Sequence, residues 1–129
     1  MKDAAFPKAH RLRKRREFLR VQRHGTKIHT RHFLVLAAVQ ATERSGPSRL
    51  GVTVTRKVAG AVGRNAIKRC VREAFRRRGA LLPAGFDLVV IAKRSAVGAT
   101  LDDADRMIRK VAAVLRAQAG GLARPEARQ

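Results

Sequence analysis

The sequence predicts an α+β fold, a single domain in which a sheet is covered by helices, and three observations carry that prediction. Apolar residues recur at helical spacing in three segments. Short β-branched or continuous apolar runs lie between those segments. One helix stands between two strands, the connection that a partly parallel sheet requires. The 129 residues fit one domain. The order is helix, two or three strands, helix, strand, helix, in about two layers.

Residues 1–14 are basic and lack an apolar period, which predicts a mobile arm ahead of a folded domain at residues 15–119. A first helix is predicted from Arg15 to His24, with Phe18 and Val21 on one side and Gly25 as its stop. Thr30 to Val39 reads as a strand around the run Phe33-Leu34-Val35-Leu36, and a short extended piece at Lys27 to His29 precedes it. Gln40 to Ser48, with Gly46-Pro47, reads as a loop. In Leu50 to Thr55 the alternation of Val52 and Val54 with Thr53 and Thr55 predicts a strand with two unlike faces.

A cationic connection, Arg56 to Gly63, leads to a helix ending near Gly79. Pro83 and Gly85 mark a turn before FDLVVIA (residues 86–92), a strand of the kind that lies inside a sheet. Thr100 then caps a last helix. Asp102, Asp103 and Asp105 suit its positive end, and Leu101, Ala104, Ile108, Val111 and Leu115 give its apolar stripe. Gly120-Gly121 is predicted to end it, leaving residues 120–129 as a loose tail.

Charge is the extreme feature. Thirty basic and nine acidic residues give a formal net charge of +21. Residues 1–79 hold 22 of the basic and only four of the acidic ones, so the excess belongs to the N-terminal two-thirds. Self-repulsion of this size is relieved by a polyanion, and nucleic acid is the usual one.

The stretch GRNAIKRCVREAFRR (residues 63–77) concentrates this charge. On a helical wheel Cys70, Val71, Ala74 and Phe75 gather beside Ile67, while Asn65, Lys68, Arg69, Arg72 and Arg76 share another face. Glu73 stands four residues from Arg69 and Arg77, where it could hold both. A solvated helix normally mixes signs; this polar face is nearly all cationic and predicts phosphate contact. Gly60 and Gly63 would leave backbone amides free at the helix start, near Arg64 and Asn65, although Asn65 also fits an N-cap.

The same reading predicts no catalytic residue and no metal site on the protein. Between Phe18 and Phe86 the only carboxylates are Glu43 and Glu73, too few for a two-metal nuclease. His10, His24, His29 and His32 lack metal-ligand spacing, and the lone Cys70 reads as a core thiol. With no run for a transmembrane helix or signal peptide, a cytoplasmic protein is expected, with no membrane partner and no small-molecule substrate. Only Phe33 and Phe86 lie on strands, and both fit the core, which disfavours aromatic base-stacking on the sheet.

These features occur in an order that resembles the bacterial ribonuclease P protein component over about residues 10–118. The segment RNAIKRCVREAF (64–75) is similar to that family's Arg-Asn-Arg helix; RLRKRREF (11–18), HGTK (24–27), RHF (31–33), LGVTVTRKV (50–58) and FDLVVIAKR (86–94) support it. The resemblance implies an α-β-β-β-α-β-α order, a mixed four-stranded sheet and a left-handed β-α-β crossover through the basic helix. It implies a protein subunit of an endoribonuclease that removes the 5′ leader of precursor tRNA, with the active site and its Mg²⁺ held mainly by a catalytic RNA. By the same match, Arg64, Asn65, Lys68, Arg69, Arg72 and Arg76 would bind that RNA. Phe18, Gln22, Arg31, Leu36, Arg56 and Lys57 would line a cleft for the leader, although Phe18 also fits the core.

Three positions depart from the family pattern. Ala66 stands where a third motif cation is usual, and Gln22 and Leu36 stand where the cleft is often aromatic. The alternative reading is a structural RNA-binding protein such as a small ribosomal protein.

Overall fold

A computed structural model describes residues 11–12, 14–40 and 48–122. The predicted arm, save residues 11, 12 and 14, most of the predicted loop, and the tail beyond residue 122 lie outside the described residues. The elements are α1 (Arg15–His24), β1 (Thr26–His29), β2 (Phe33–Val39), β3 (Arg49–Thr53), α2 (Ala61–Arg78), β4 (Phe86–Ala92) and α3 (Leu101–Leu122). The strands form one sheet in the order β1-β2-β4-β3. β1 and β2 pair antiparallel, as do β2 and β4, while β3 runs parallel to β4 with α2 as the crossover.

The register decides which side chains meet. Phe33, Val35 and Ala37 of β2, Leu50 and Val52 of β3, and Leu88 and Val90 of β4 turn to one side. There they pack with Ile67, Val71, Ala74 and Phe75 of α2 and with Ile108, Val111 and Leu115 of α3. Successive strand residues point to opposite faces, so Leu36, Ala38 and Val89 turn the other way, against Val21 of α1 and Leu12. Helices thus cover both faces, giving three layers where about two were expected. Continuous apolar runs on β2 and β4 are the cause: a strand apolar on both faces needs cover on both.

Several boundaries differ from the sequence reading for local reasons. β2 begins at Phe33 rather than Thr30, because the Thr30 amide donates to the Phe33 carbonyl at 2.8 Å and closes the hairpin turn. β3 ends at Thr53, since Val58 N–H bonds Thr55 O at 3.0 Å and turns the chain. α2 starts at Ala61 with Gly60 as its cap, so Asn65 lies inside the helix and is not the N-cap. α3 continues past Gly120-Gly121 to Leu122; two glycines at about 1 kcal/mol each do not halt a helix already anchored along its length.

The caps predicted for α1 and α3 are present in more specific form. Thr100 and Asp103 make a reciprocal box: Asp103 N–H donates to Thr100 Oγ1 at 3.2 Å, and Thr100 N–H to Asp103 Oδ2 at 2.9 Å. Gly25 ends α1 in extended conformation, not a left-handed one. It is needed because a Cβ there would sit 2.5 Å from the Val21 carbonyl oxygen.

Candidate RNA-binding surfaces

The basic face of α2 is built by burying its opposite side. Ile67, Val71, Ala74 and Phe75 are sealed in the main core, which turns Asn65, Lys68, Arg69, Arg72 and Arg76 outward. Among the described residues Asn65, Lys68, Arg69 and Arg72 make no side-chain hydrogen bond or ion pair. Arg64 donates to the Ala59 carbonyl at 3.1 Å, which steadies the connection into the helix. Arg72 is half-buried; that burial, and then Arg11 nearby, push its pKa down. Uncompensated cations held this close favour an anion between them.

Glu73 does not bridge Arg69 and Arg77 as the spacing allowed. It grips Arg76 in a fork, at 3.0 and 2.7 Å, and Arg77 at 3.2 Å. The hydrogen bond from Arg76 holds the Glu73 carboxyl below its usual range. Arg76 therefore meets any anion already paired, while Arg69 stands clear.

The second surface lies on the other face of the sheet, beside α1. Arg15, Phe18, Leu19 and Gln22, at i, i+3, i+4 and i+7 of one helix face, line a cleft of about 410 Å³ together with Thr53 of β3. The Phe18 ring rests against Gly51 of β3: a Cβ there would fall 2.6 Å from its Cε2. Phe18 is thus both half-buried against the smaller core and open to the cleft.

The other cleft residues expected from the resemblance divide. Gln22 is exposed on the cleft wall. Leu36 is only 4% exposed, beneath α1, and offers no surface for contact. Arg56 and Lys57 are exposed on the turn after β3, at the same end of the sheet. Arg31 sits on the β1–β2 turn and lines a different hollow, against α3.

The sequence reading missed the anchor of α1. The register sets Arg49 beside Asp87, and both are buried. The Arg49 guanidinium forks onto the Asp87 carboxylate at 2.9 and 2.7 Å and reaches Glu17 of α1 at 2.9 Å. Gln40 also donates to Asp87, at 3.2 Å. The hydrogen bond to Asp87 is the main cause of a raised Arg49 pKa. The available signal was a lone carboxylate inside FDLVVIA.

The carboxylates at the start of α3 are engaged within the protein. Asp102 pairs with Arg106 at 3.1 Å, and Asp105 with Arg78 at 2.8 Å and Arg109 at 3.3 Å. Among the described residues no group of three or more His, Cys, Asp or Glu side chains could hold a metal ion. The described residues thus offer no donor set for the Mg²⁺ that the resemblance assigns mainly to the RNA. Burial pushes the Cys70 thiol up, away from the reactive thiolate. Among the described residues no helix is long and apolar enough to cross a membrane.

Comparison with known proteins places this geometry. The profile of the Ribonuclease P family matches residues 6–116. The ribonuclease P protein component of Syntrophus aciditrophicus is 43% identical over 93 residues, 72% of this chain and 76% of the relative. That of Desulfovibrio desulfuricans is 38% identical over 92% of this chain and 90% of the relative. The Staphylococcus aureus RNase P protein superposes with a TM-score of 0.71 at 32% identity, covering 84% of this chain and 99% of that one. The Thermotoga maritima protein gives 0.65 at 36% identity, covering 81% and 94%. A fold with the same strand order of use, a basic crossover helix and a match over most of its length define one conclusion: this chain belongs to the ribonuclease P protein family.

Proposed function

We propose that this chain binds the catalytic RNA of ribonuclease P through α2 and holds the single-stranded 5′ leader of precursor tRNA in the cleft beside α1. The RNA supplies the active site and the Mg²⁺; the protein joins enzyme to substrate. The observation that carries this reading is the pairing of two surfaces on opposite sides of one sheet, one a cationic helix face and one a cleft lined in part by an aromatic ring.

The division of labour follows from the side chains. Arg64, Asn65, Lys68, Arg69 and Arg72 offer charge and fork-shaped donors to phosphates, with Ala66 contributing none. In the cleft Phe18 stacks on a base, worth roughly 1–3 kcal/mol, and Arg15, Arg56 and Lys57 attract the backbone. Gln22 and buried Leu36 give no second stacking ring, so charge carries more of leader affinity. That affinity is expected to fall steeply from low to moderate salt, with a slope of about 0.7 per phosphate neutralised on a single strand. A flat salt dependence would contradict this part.

Reconstitution tests the whole. Purified protein alone is expected to leave precursor tRNA uncut. With the catalytic RNA at moderate Mg²⁺ it is expected to speed cleavage at the mature 5′ end. Cutting by protein alone would indicate an autonomous nuclease. Failure to stimulate the RNA would favour a structural RNA-binding protein.

A further inference from the structure

A third hollow belongs to neither surface. It lies between the β1–β2 turn and α3, has a volume of about 190 Å³, and is lined by Thr30, Arg31 and His32 from the turn and Asp103, Arg106 and Lys110 from α3. Three cations face it against one carboxylate. That carboxylate is already committed: Asp103 Oδ2 accepts from the Thr100 amide at 2.9 Å and the Thr100 hydroxyl at 3.1 Å. His32 is held in place by Ser95 Oγ at 3.0 Å, with Asp103 4.0 Å from its other nitrogen.

The cations keep donors to spare. Lys110 Nζ spends one proton on the His29 carbonyl at 2.6 Å, which fixes it at the rim and leaves two. Arg31 is exposed, and its side chain makes no hydrogen bond or ion pair among the described residues. Arg106 pairs with Asp102, but both side chains are largely exposed, at 73% and 67%. Such a pair is weak and exchanges readily. The hollow is smaller than the roughly 300–1,000 Å³ of pockets that enclose drug-sized ligands. A single tetrahedral anion suits three converging donors of this kind.

We infer that this hollow binds one phosphate group of an RNA strand, a third contact beyond the α2 face and the cleft. The inference rests on the proposed reading only in taking the phosphate from RNA. It also gives Arg31 a role away from the leader cleft.

Amide-resolved NMR titration of the full chain tests it, with inorganic phosphate in one arm and a single-stranded oligouridylate in the other. Both probes are expected to shift the amides of Arg31, His32, Arg106 and Lys110. The Arg31→Ala/Arg106→Ala double variant is expected to weaken that response about tenfold or more while keeping the wild-type melting temperature and the shifts at Phe18, Gln22 and Thr53. Response to phosphate alone would overturn the RNA source. Silence of the hollow towards both probes, or an unchanged response in the variant, would overturn the site. The isolated chain is titrated, so failure to stimulate the catalytic RNA and failure of this hollow are separate results.

Discussion

The two faces of the sheet are held by different physics. On one face the 18-residue α2 and the 22-residue α3 close a continuous apolar core in which nine of the described residues have zero exposure, among them Val71, Ile108, Val111 and Leu115. On the other face lies one ten-residue helix whose only buried residue is Val21. A helix of that length is marginal alone, and burying one valine stabilises it by roughly 1.5–3 kcal/mol. The half-buried Phe18 adds to this, and the Glu17–Arg49–Asp87 cluster ties the helix to β3 and β4. The comparison teaches that an open cleft and a broad apolar lid compete for the same surface. Pinning α1 by a small polar cluster leaves Phe18 and its neighbours reachable.

Removing one partner from the pin should hurt most. Asp87→Ala strands the buried Arg49 with Glu17 alone and is expected to cost about 3–5 kcal/mol in urea unfolding. Leader affinity should fall with it, because α1 forms a cleft wall. Leu115→Ala, in the apolar core, is expected to cost about 2–5 kcal/mol yet leave oligonucleotide binding in the cleft unchanged at temperatures where the variant is folded. Equal loss of binding in both would erase the distinction between the faces.

A second contrast lies within the cleft. Gly51→Ala places a methyl group in the Phe18 ring. It is expected to displace the ring and weaken a single-stranded oligonucleotide by a few-fold to tenfold, with a modest stability loss. Phe18→Ala should lose the stacking itself, roughly 1–3 kcal/mol by fluorescence anisotropy, whereas Arg69→Ala should spare that binding and weaken the catalytic RNA instead. If Phe18→Ala and Arg69→Ala affect both RNAs alike, the two surfaces are not separate.

The smallest effect is expected on acidification. Glu73, through Arg76, and Asp103, through Thr100, both have carboxyls held below their ordinary values in the folded state. A depressed folded pKa contributes stability that is complete above the unfolded value and is lost as pH falls through the folded one. Melting temperature should therefore drop gently below the usual carboxylate range, and less steeply in Glu73→Gln and Asp103→Asn. Both groups are only partly buried, so identical acid profiles in wild type and variants would show that solvent screening cancels the pairs.

How much was legible beforehand depended on range. The helix Arg15–His24 and the strand Phe86–Ala92 match their predicted bounds, because caps, glycine stops and apolar runs act within a few residues. The basic face of α2 was legible for the same reason: a helical wheel needs only local periodicity. Arg49 and Asp87 were not, since 38 positions separate them and only strand register brings them together. Leu36 was assigned to the cleft only by the family match; it lies buried beneath α1, because its strand is apolar on both faces and both are covered.

The sequence by itself determined the charge, the order of the elements and the cationic face of α2, since composition and short-range periodicity are properties of the chain whatever its fold. Tertiary structure alone decided that α1 sits opposite α2 and α3, that a buried arginine and aspartate pin it there, and that Arg31 faces α3 instead of the cleft. Those outcomes depend on contacts between residues distant in sequence, where packing and the cost of an unpaired buried charge select one arrangement.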